Sequence, residues 1–230
     1  MLVFIGLDDT DNPDSRGTGR LARQIAAELA RSHALVGVTR HQLLVDPRVP
    51  YTSHNSSAAI GLLVDKDVDL GALHAHVQTM MLADFQPGSD PGLCVAGEQT
   101  ARRFTQFGLR AQKELVTQTE ARLLASQHGA LLAGLGGTED GVIGALAAVG
   151  LACGGEDGRY LLVGSSRDVF GRQPVSALLA AGIAEVRTIQ GDLIDEGIVL
   201  ADKLRPARRH GQPVLYVEWS EDHWQPVKLD

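Results

Sequence analysis

The sequence predicts a layered fold between α/β and α+β, a sheet with helices packed on it, and a smaller module from about residue 156. Three observations carry this. The chain opens strand, loop, helix; strand, glycine loop, helix recurs between residues 131 and 150; and strand-length apolar runs alternate with helical periodicity to the end. With 230 residues, 44% of them hydrophobic and 21% charged, the chain is long enough to bury a sizeable core.

LVFIGL is a compact β-branched and aromatic run and reads as a central strand. From Thr18 to about Arg31 the apolar residues Leu21, Ile25, Ala26 and Leu29 share one helical face. An extended region over 36–45 leads through the turn DPRVP and the polar stretch YTSHNSS into a strand, AAIGLLV. Helices are expected over 70–82, 99–107 and 117–128, with a short strand, GLCVA, after the loop QPGSDPG. LLAGLGG is a strand meeting a glycine turn, and 142–149 continues as an apolar helix. After the composition shift at CGGEDGRY come a strand (YLLVGSS), a helix (PVSALLAAGI) and two strands (AEVRTIQ and PVLYVEW), which divides the chain into 1–155 and 156–230.

A net charge of −7 argues against a protein that coats nucleic acid by charge alone, although a local basic patch remains open. Cys94 and Cys153 are far apart and form no CxxC pair, so they read as reduced, buried thiols rather than a disulfide scaffold or a zinc site. The apolar opening is too short for a signal peptide and no later run is long enough to span a bilayer, so the cytoplasm is expected.

The loop after the first strand carries the chemistry. Asp8, Asp9 and Asp11 repel one another unless a cation lies among them. In an extended segment Asp9 and Asp11 project to one side and Asp8 to the other, and oxygen-only ligands suit magnesium, which is usually held by one or two carboxylates plus substrate phosphates. An Asx turn or cap explains one aspartate well and three poorly. Gly17, Thr18, Gly19 and Arg20, with Arg16 nearby, offer free amides, a hydroxyl and positive charge at a helix start, which suits phosphate; Thr18 as a plain N-cap is the alternative.

The glycine loop at Gly134, Gly136, Gly137 and Thr138 matches neither the P-loop nor the dinucleotide fingerprint. It still allows close backbone approach to a nucleotide, although Glu139 and Asp140 repel phosphates unless a cation intervenes. In HNSS, His54 to Ser57 either donate to a substrate or satisfy a loop. His74 and His76 are two apart on a helix and do not face each other, which disfavours a metal pair. Lys203, Arg205, Arg208, Arg209 and His210 form a basic run that contacts RNA or phosphates or is a solvated loop, and only 4% of the chain is aromatic.

Several pieces together resemble one family, the archaeal tRNA-isoleucine agmatinylcytidine synthetases. GLDDTDNPDSRGTGRLA is similar to that family's strand followed by GIDDTD and a Thr-bearing loop; DPRVP with AAIGLLV, SDPGL, and GLGGTEDGVIGALAAVGL resemble its Pro-containing loop and strand, its DPG segment, and its Gly-rich loop and helix, in the same order. The resemblance spans roughly residues 3–165. It implies a kinase-like domain using ATP and magnesium over 1–155 and a ferredoxin-like module over 156–230. It also implies Asp8, Asp9 and Asp11 as metal and phosphoryl-transfer carboxylates, Thr18 near the transferred phosphate, and Gly134, Gly136 and Gly137 beside the nucleotide. Phosphoryl transfer asks mainly for positioning and charge neutralisation, which such a set supplies.

Two segments depart from the family pattern. GTGR stands where the family has Cys-Thr-Thr, and HNSS stands where it has an RGN-like segment. With 230 residues and no cysteine quartet, the chain is expected to have no room for an OB-fold and no zinc ribbon, so agmatine conjugation to tRNA is not the expected activity. The expectation is an ATP- and magnesium-dependent phosphotransferase or ligase-like protein acting on a small substrate, with Asp8 and Thr18 as catalytic groups. A non-catalytic nucleotide-binding or RNA-associated module working with a partner protein is the first alternative. A magnesium-dependent phosphohydrolase, suggested by Asp9 and Asp11 after a strand, is the second, although Pro13 departs from its pattern.

Overall fold

The computed structural model describes residues 1–49 and 55–229. The first part of the chain runs β1 (Leu2–Asp8), α1 (Thr18–Leu29), β2 (Ala34–Gln42), β3 (Ser56–Leu63), α2 (Leu70–Ala83) and β4 (Gly92–Gly97). These strands lie in the order β4-β1-β3-β2, and every pairing is antiparallel. This is the split βαβ arrangement: β3 sits between β1 and β2, and both crossover helices fall on one face of the sheet.

That face forms one core, in which Val3, Ile5 and Leu7 of β1 meet Leu21, Ile25 and Leu29 of α1 and Leu73, Val77 and Met81 of α2. Burial of each such side chain contributes roughly 1.5–3 kcal/mol. The alternate residue Phe4 points to the opposite face and joins a second core. Burial on both sides explains why β1 reads as an unbroken apolar run.

The second face is covered by α3 (Glu98–Ala101), a 3₁₀ turn (Arg102–Phe104), α4 (Thr105–Ala111), α5 (Gln118–His128) and α6 (Gly141–Gly154), while β5 (Leu131–Gly134) extends the sheet beside β4. Helix α6 is apolar around its circumference because it lies between the sheet and the other helices. It comes so close that a Cβ on Gly6 of β1 would fall 2.0 Å from the Ala145 carbonyl oxygen. The single helix expected over 99–107 is instead broken by the 3₁₀ turn. The break lies where α6 crosses: a Cβ on Gly150 would stand 2.2 Å from the Phe104 carbonyl oxygen, and Thr105 Oγ1 donates to the Gly150 carbonyl at 3.1 Å.

The chain continues with β6 (Arg159–Leu162), β7 (Arg172–Pro174), α7 (Val175–Ala180), β8 (Glu185–Thr188), β9 (Ile198–Leu200), β10 (Ala207–Arg209), β11 (Gln212–Ser220) and β12 (His223–Pro226). β6 pairs with β2, so the sheet runs on without interruption into this region, which has its own core around Tyr160, Leu178, Val186 and Leu215. The strands β7, β9, β10 and β12 have three or four residues each, too short to show a period in sequence. Among the described residues no helix is long and apolar enough to cross a membrane. Cys94 is buried and Cys153 half-buried, and both are free thiols.

The basic run near the C-terminus does not form one solvated loop. Arg208 is buried in β10, its guanidinium donating to the carbonyls of Ala152 at 3.0 Å and Gly211 at 2.9 Å and to the Tyr160 hydroxyl. Arg209 donates to the backbone carbonyls of Arg208 and Glu156. Arg208 is thus a packing residue joining α6, β6 and the β10–β11 turn.

Candidate functional site

β1 delivers Asp8 to the face covered by α6, in register with Gly92 of β4. The chain then turns sharply. Asp9 has a left-handed backbone, φ 48°, a conformation that Asp and Asn tolerate better than most residues. Asn12 and Ser15 close the loop on itself, with the Asn12 amide donating to Ser15 Oγ at 2.8 Å and the Ser15 amide to the Asn12 carbonyl at 3.1 Å. Gly17, at φ 82°, caps α1 without a side-chain bond, so Thr18 is the first helical residue and not the N-cap. Its hydroxyl donates to Asp11 Oδ1 at 3.0 Å and accepts from Thr10 Oγ1 at 3.0 Å.

Asp8, Asp9, Asp11 and Thr18 open into a common cleft of about 220 Å³. Its apolar wall comes from elsewhere in the chain, with Leu43 and Leu44 following β2, Leu115 and Val116 between α4 and α5, and Ile143 on α6. The acidic lining is Asp8, Asp9, Asp11, Glu114 and Asp140, and among the described residues the one cation lining it is Arg48. Arg48 is already engaged with Asp46, through bonds of 2.7 and 2.8 Å.

This arrangement raises the carboxyls of Asp8 and Asp9. Burial, then the charge of Asp9, pushes Asp8 up to about 8. Burial, then the charges of Asp90 and Asp11, pushes Asp9 up to about 6. Among the described residues no three acidic, His or Cys side chains are arranged to hold a metal ion. The cleft therefore has the charge that a cation would satisfy without a finished coordination shell.

Of the other sequence-predicted positions, Asn55 and Ser56 of HNSS line this cleft as well, and the rest lie around it. A Cβ on Gly19 would stand 2.9 Å from Leu161, so that glycine admits β6 against α1. Gly17 and Arg20 line a neighbouring cleft with Arg16 and Gln24. In the glycine loop a Cβ on Gly134 would strike Glu139, on Gly136 Phe85, and on Gly137 Asp90, so these glycines make room for protein groups. Thr138 donates to Asp90 through its amide at 2.7 Å and its hydroxyl at 2.8 Å. Ser57 is buried, and His54 lies outside the described residues.

Sequence reasoning assigned no role to Asp90 or the apolar wall and read Asp140 only as a charge that repels phosphate. Asp90 ties the glycine loop to the start of β4, and the Gly141 amide that begins α6 donates to its carbonyl at 3.0 Å. The only available signal was the DPG turn itself.

No family model matches the chain. The chain is 31% identical over 153 residues to TiaS, the 2-agmatinylcytidine synthetase for an isoleucine tRNA, of Pyrococcus horikoshii, covering 65% of this chain and 36% of that protein. Among solved structures it is similar to the complex of TiaS with that tRNA and ATP, with 27% identity and a TM-score of 0.58 over 65% of this chain and 36% of that one. It is also similar to the complex of TiaS with the tRNA, AMPCPP and agmatine, with 27% identity and a TM-score of 0.57 over the same shares of 65% and 36%. The chain thus spans about a third of the length of the relatives it matches, 36% of the synthetase.

Proposed function

We propose, on the premise that the chain belongs to the TiaS-like family across 65% of its length, that it is an ATP-using enzyme. In this reading it is a magnesium-dependent phosphotransferase or ATP-dependent ligase acting on a small substrate in the cytoplasm. The observation that carries the reading is the meeting of Asp8, Asp9, Asp11 and Thr18 in one cleft, where burial and neighbouring carboxylates raise the Asp8 and Asp9 carboxyls. Residues 1–155 would form the kinase-like, nucleotide-binding part and 156–230 the smaller module.

Asp9 and Asp11 are the residues to hold magnesium, with Asp8 as a further ligand or a base. When bound, the ion would neutralise phosphate charge between nucleotide and carboxylates. Thr18, held between Thr10 and Asp11, presents its hydroxyl at the start of α1 and contacts or accepts the phosphoryl group. Gly17, Gly19 and Arg20 border the phosphates from the α1 side, and the loop from Gly134 to Thr138 borders the nucleotide. The apolar wall of Leu43, Leu44, Val116 and Ile143 suits a base. The relatives were solved with tRNA, ATP, AMPCPP and agmatine. A small substrate is favoured over tRNA here because an acidic lining repels a phosphate backbone wherever no metal intervenes.

Calorimetric titration with ATP, in magnesium and in chelator, tests this on wild type and Asp9→Asn. Asn tolerates the left-handed backbone at this position, so the variant should fold. Magnesium-dependent binding that the variant loses supports the reading, and binding it retains in full sinks it. A second reading, a non-catalytic nucleotide-binding or RNA-associated module, is favoured by the GTGR segment that stands where the family pattern has Cys-Thr-Thr. ATP binding without turnover in the presence of a partner would select it.

A further inference from the structure

A second cleft, which shares no lining residue with the aspartate site, opens between the segment after β6 and the chain leading from β9 to β10. Arg159, Arg167, Lys203 and Arg205 line it together with Phe170 and one carboxylate, Asp202. Several arginines elsewhere are matched to acids, among them Arg48 to Asp46, Arg102 to Glu98, Arg122 to Glu139, Arg172 to Asp222 and Arg187 to Glu185. Arg167, Lys203 and Arg205 have no such match among the described residues. Arg167 is instead aimed by its own bond to the Leu161 carbonyl at 3.3 Å.

The positive field extends past the cleft. Burial and the charges of Arg167 and Arg20 hold the Arg23 guanidinium of α1 below its usual range, so these cations are close neighbours. In a chain of net charge −7 such a gathering costs free energy unless an anion shares it. Phe170, in turn, is 65% exposed in the same cleft, a large ring left in water beside the cations. Cations for a phosphate and an open aromatic face for a ring are the two components of nucleotide-unit binding.

We propose that this cleft binds a phosphate ester bearing a planar ring, a nucleotide unit, with Arg167, Lys203 and Arg205 on the phosphate and Phe170 stacked on the ring. The unit is either a free nucleotide or one member of a single strand, and the two share the same chemistry. The assignment is independent of ATP binding at the aspartates.

The test uses the full chain in chelator, with AMP titrated by calorimetry and a fluorescein-labelled single-stranded oligoadenylate followed by anisotropy. The double variant Lys203→Ala/Arg205→Ala should weaken both probes at least tenfold and reduce the salt slope of strand binding by about two. Phe170→Ala should weaken both by roughly five- to tenfold while leaving inorganic phosphate binding unchanged. Circular dichroism checks that these surface variants remain folded. Markedly tighter binding of the strand than of AMP identifies a single strand as the source, and equal binding identifies a free nucleotide. No binding of either probe by wild type, binding retained by both variants, or binding abolished by Asp9→Asn would overturn the assignment.

Discussion

A Cβ built on Gly144 would fall 1.8 Å from Oδ2 of Asp8, so the last carboxylate of β1 occupies the notch that this glycine leaves in α6. The position of one cleft carboxylate is thereby set by the absence of a side chain on a helix more than a hundred residues away in sequence.

Gly144→Ala should therefore displace Asp8. The helix gains up to about 1 kcal/mol in propensity, but the overlap should outweigh this and destabilise the protein by about 1–3 kcal/mol. In an Asp8→Ala background the same change should cost little or become favourable. Urea unfolding of the four proteins in that cycle checks it, and an equal cost in both backgrounds would show that Asp8 is not what Gly144 accommodates.

The raised Asp8 and Asp9 carboxyls make stability depend on pH. With folded values of about 8 and about 6 against an ordinary 3.8, the folded protein binds more protons than the unfolded chain between those limits. Stability of the metal-free protein should then fall as pH rises from about 4 to about 8. Asp8→Asn should flatten the upper part of that fall, and magnesium should raise the melting temperature more at high pH than at low. Thermal melts across the range, with chelator and with magnesium, measure both effects.

Asp90 holds the glycine loop through the amide and hydroxyl of Thr138. Removing both bonds in Asp90→Ala should cost about 1–3 kcal/mol, since the acceptor is charged. Hydrogen exchange at the Thr138 amide should accelerate, while protection in α1 and β1 is unchanged. Retained protection at Thr138 would mean that other contacts hold the loop.

Arg208→Lys keeps the charge but cannot reach the Ala152 and Gly211 carbonyls and the Tyr160 hydroxyl together. Buried acceptors left without a donor should cost about 2–4 kcal/mol. Phosphate binding at Lys203 and Arg205 should be unchanged. A variant as stable as wild type would return Arg208 to the solvated surface.

Several elements were legible because their signals are local. The unbroken apolar run of β1, the spacing of Leu21, Ile25 and Leu29 on α1, and the glycine-rich entry to α6 each state their structure within a dozen residues. Asp8, Asp9, Asp11 and Thr18 could be grouped because one loop holds them. The helix break at Arg102–Phe104 was not legible, since it depends on where α6 crosses. Nor was the burial of Arg208, since its acceptors lie on α6, β6 and the β10–β11 turn.

The sequence by itself determined the strand and helix periods and the acidic loop with Thr18, because these depend on neighbours a few positions apart. Only the tertiary structure decided that Leu43, Val116 and Ile143 wall the aspartate cleft, that Gly144 seats Asp8, and that the loop glycines yield to Glu139, Phe85 and Asp90. Those relationships arise from strand register and helix packing between segments far apart in the chain, where the space one residue leaves is read only by the residue that fills it.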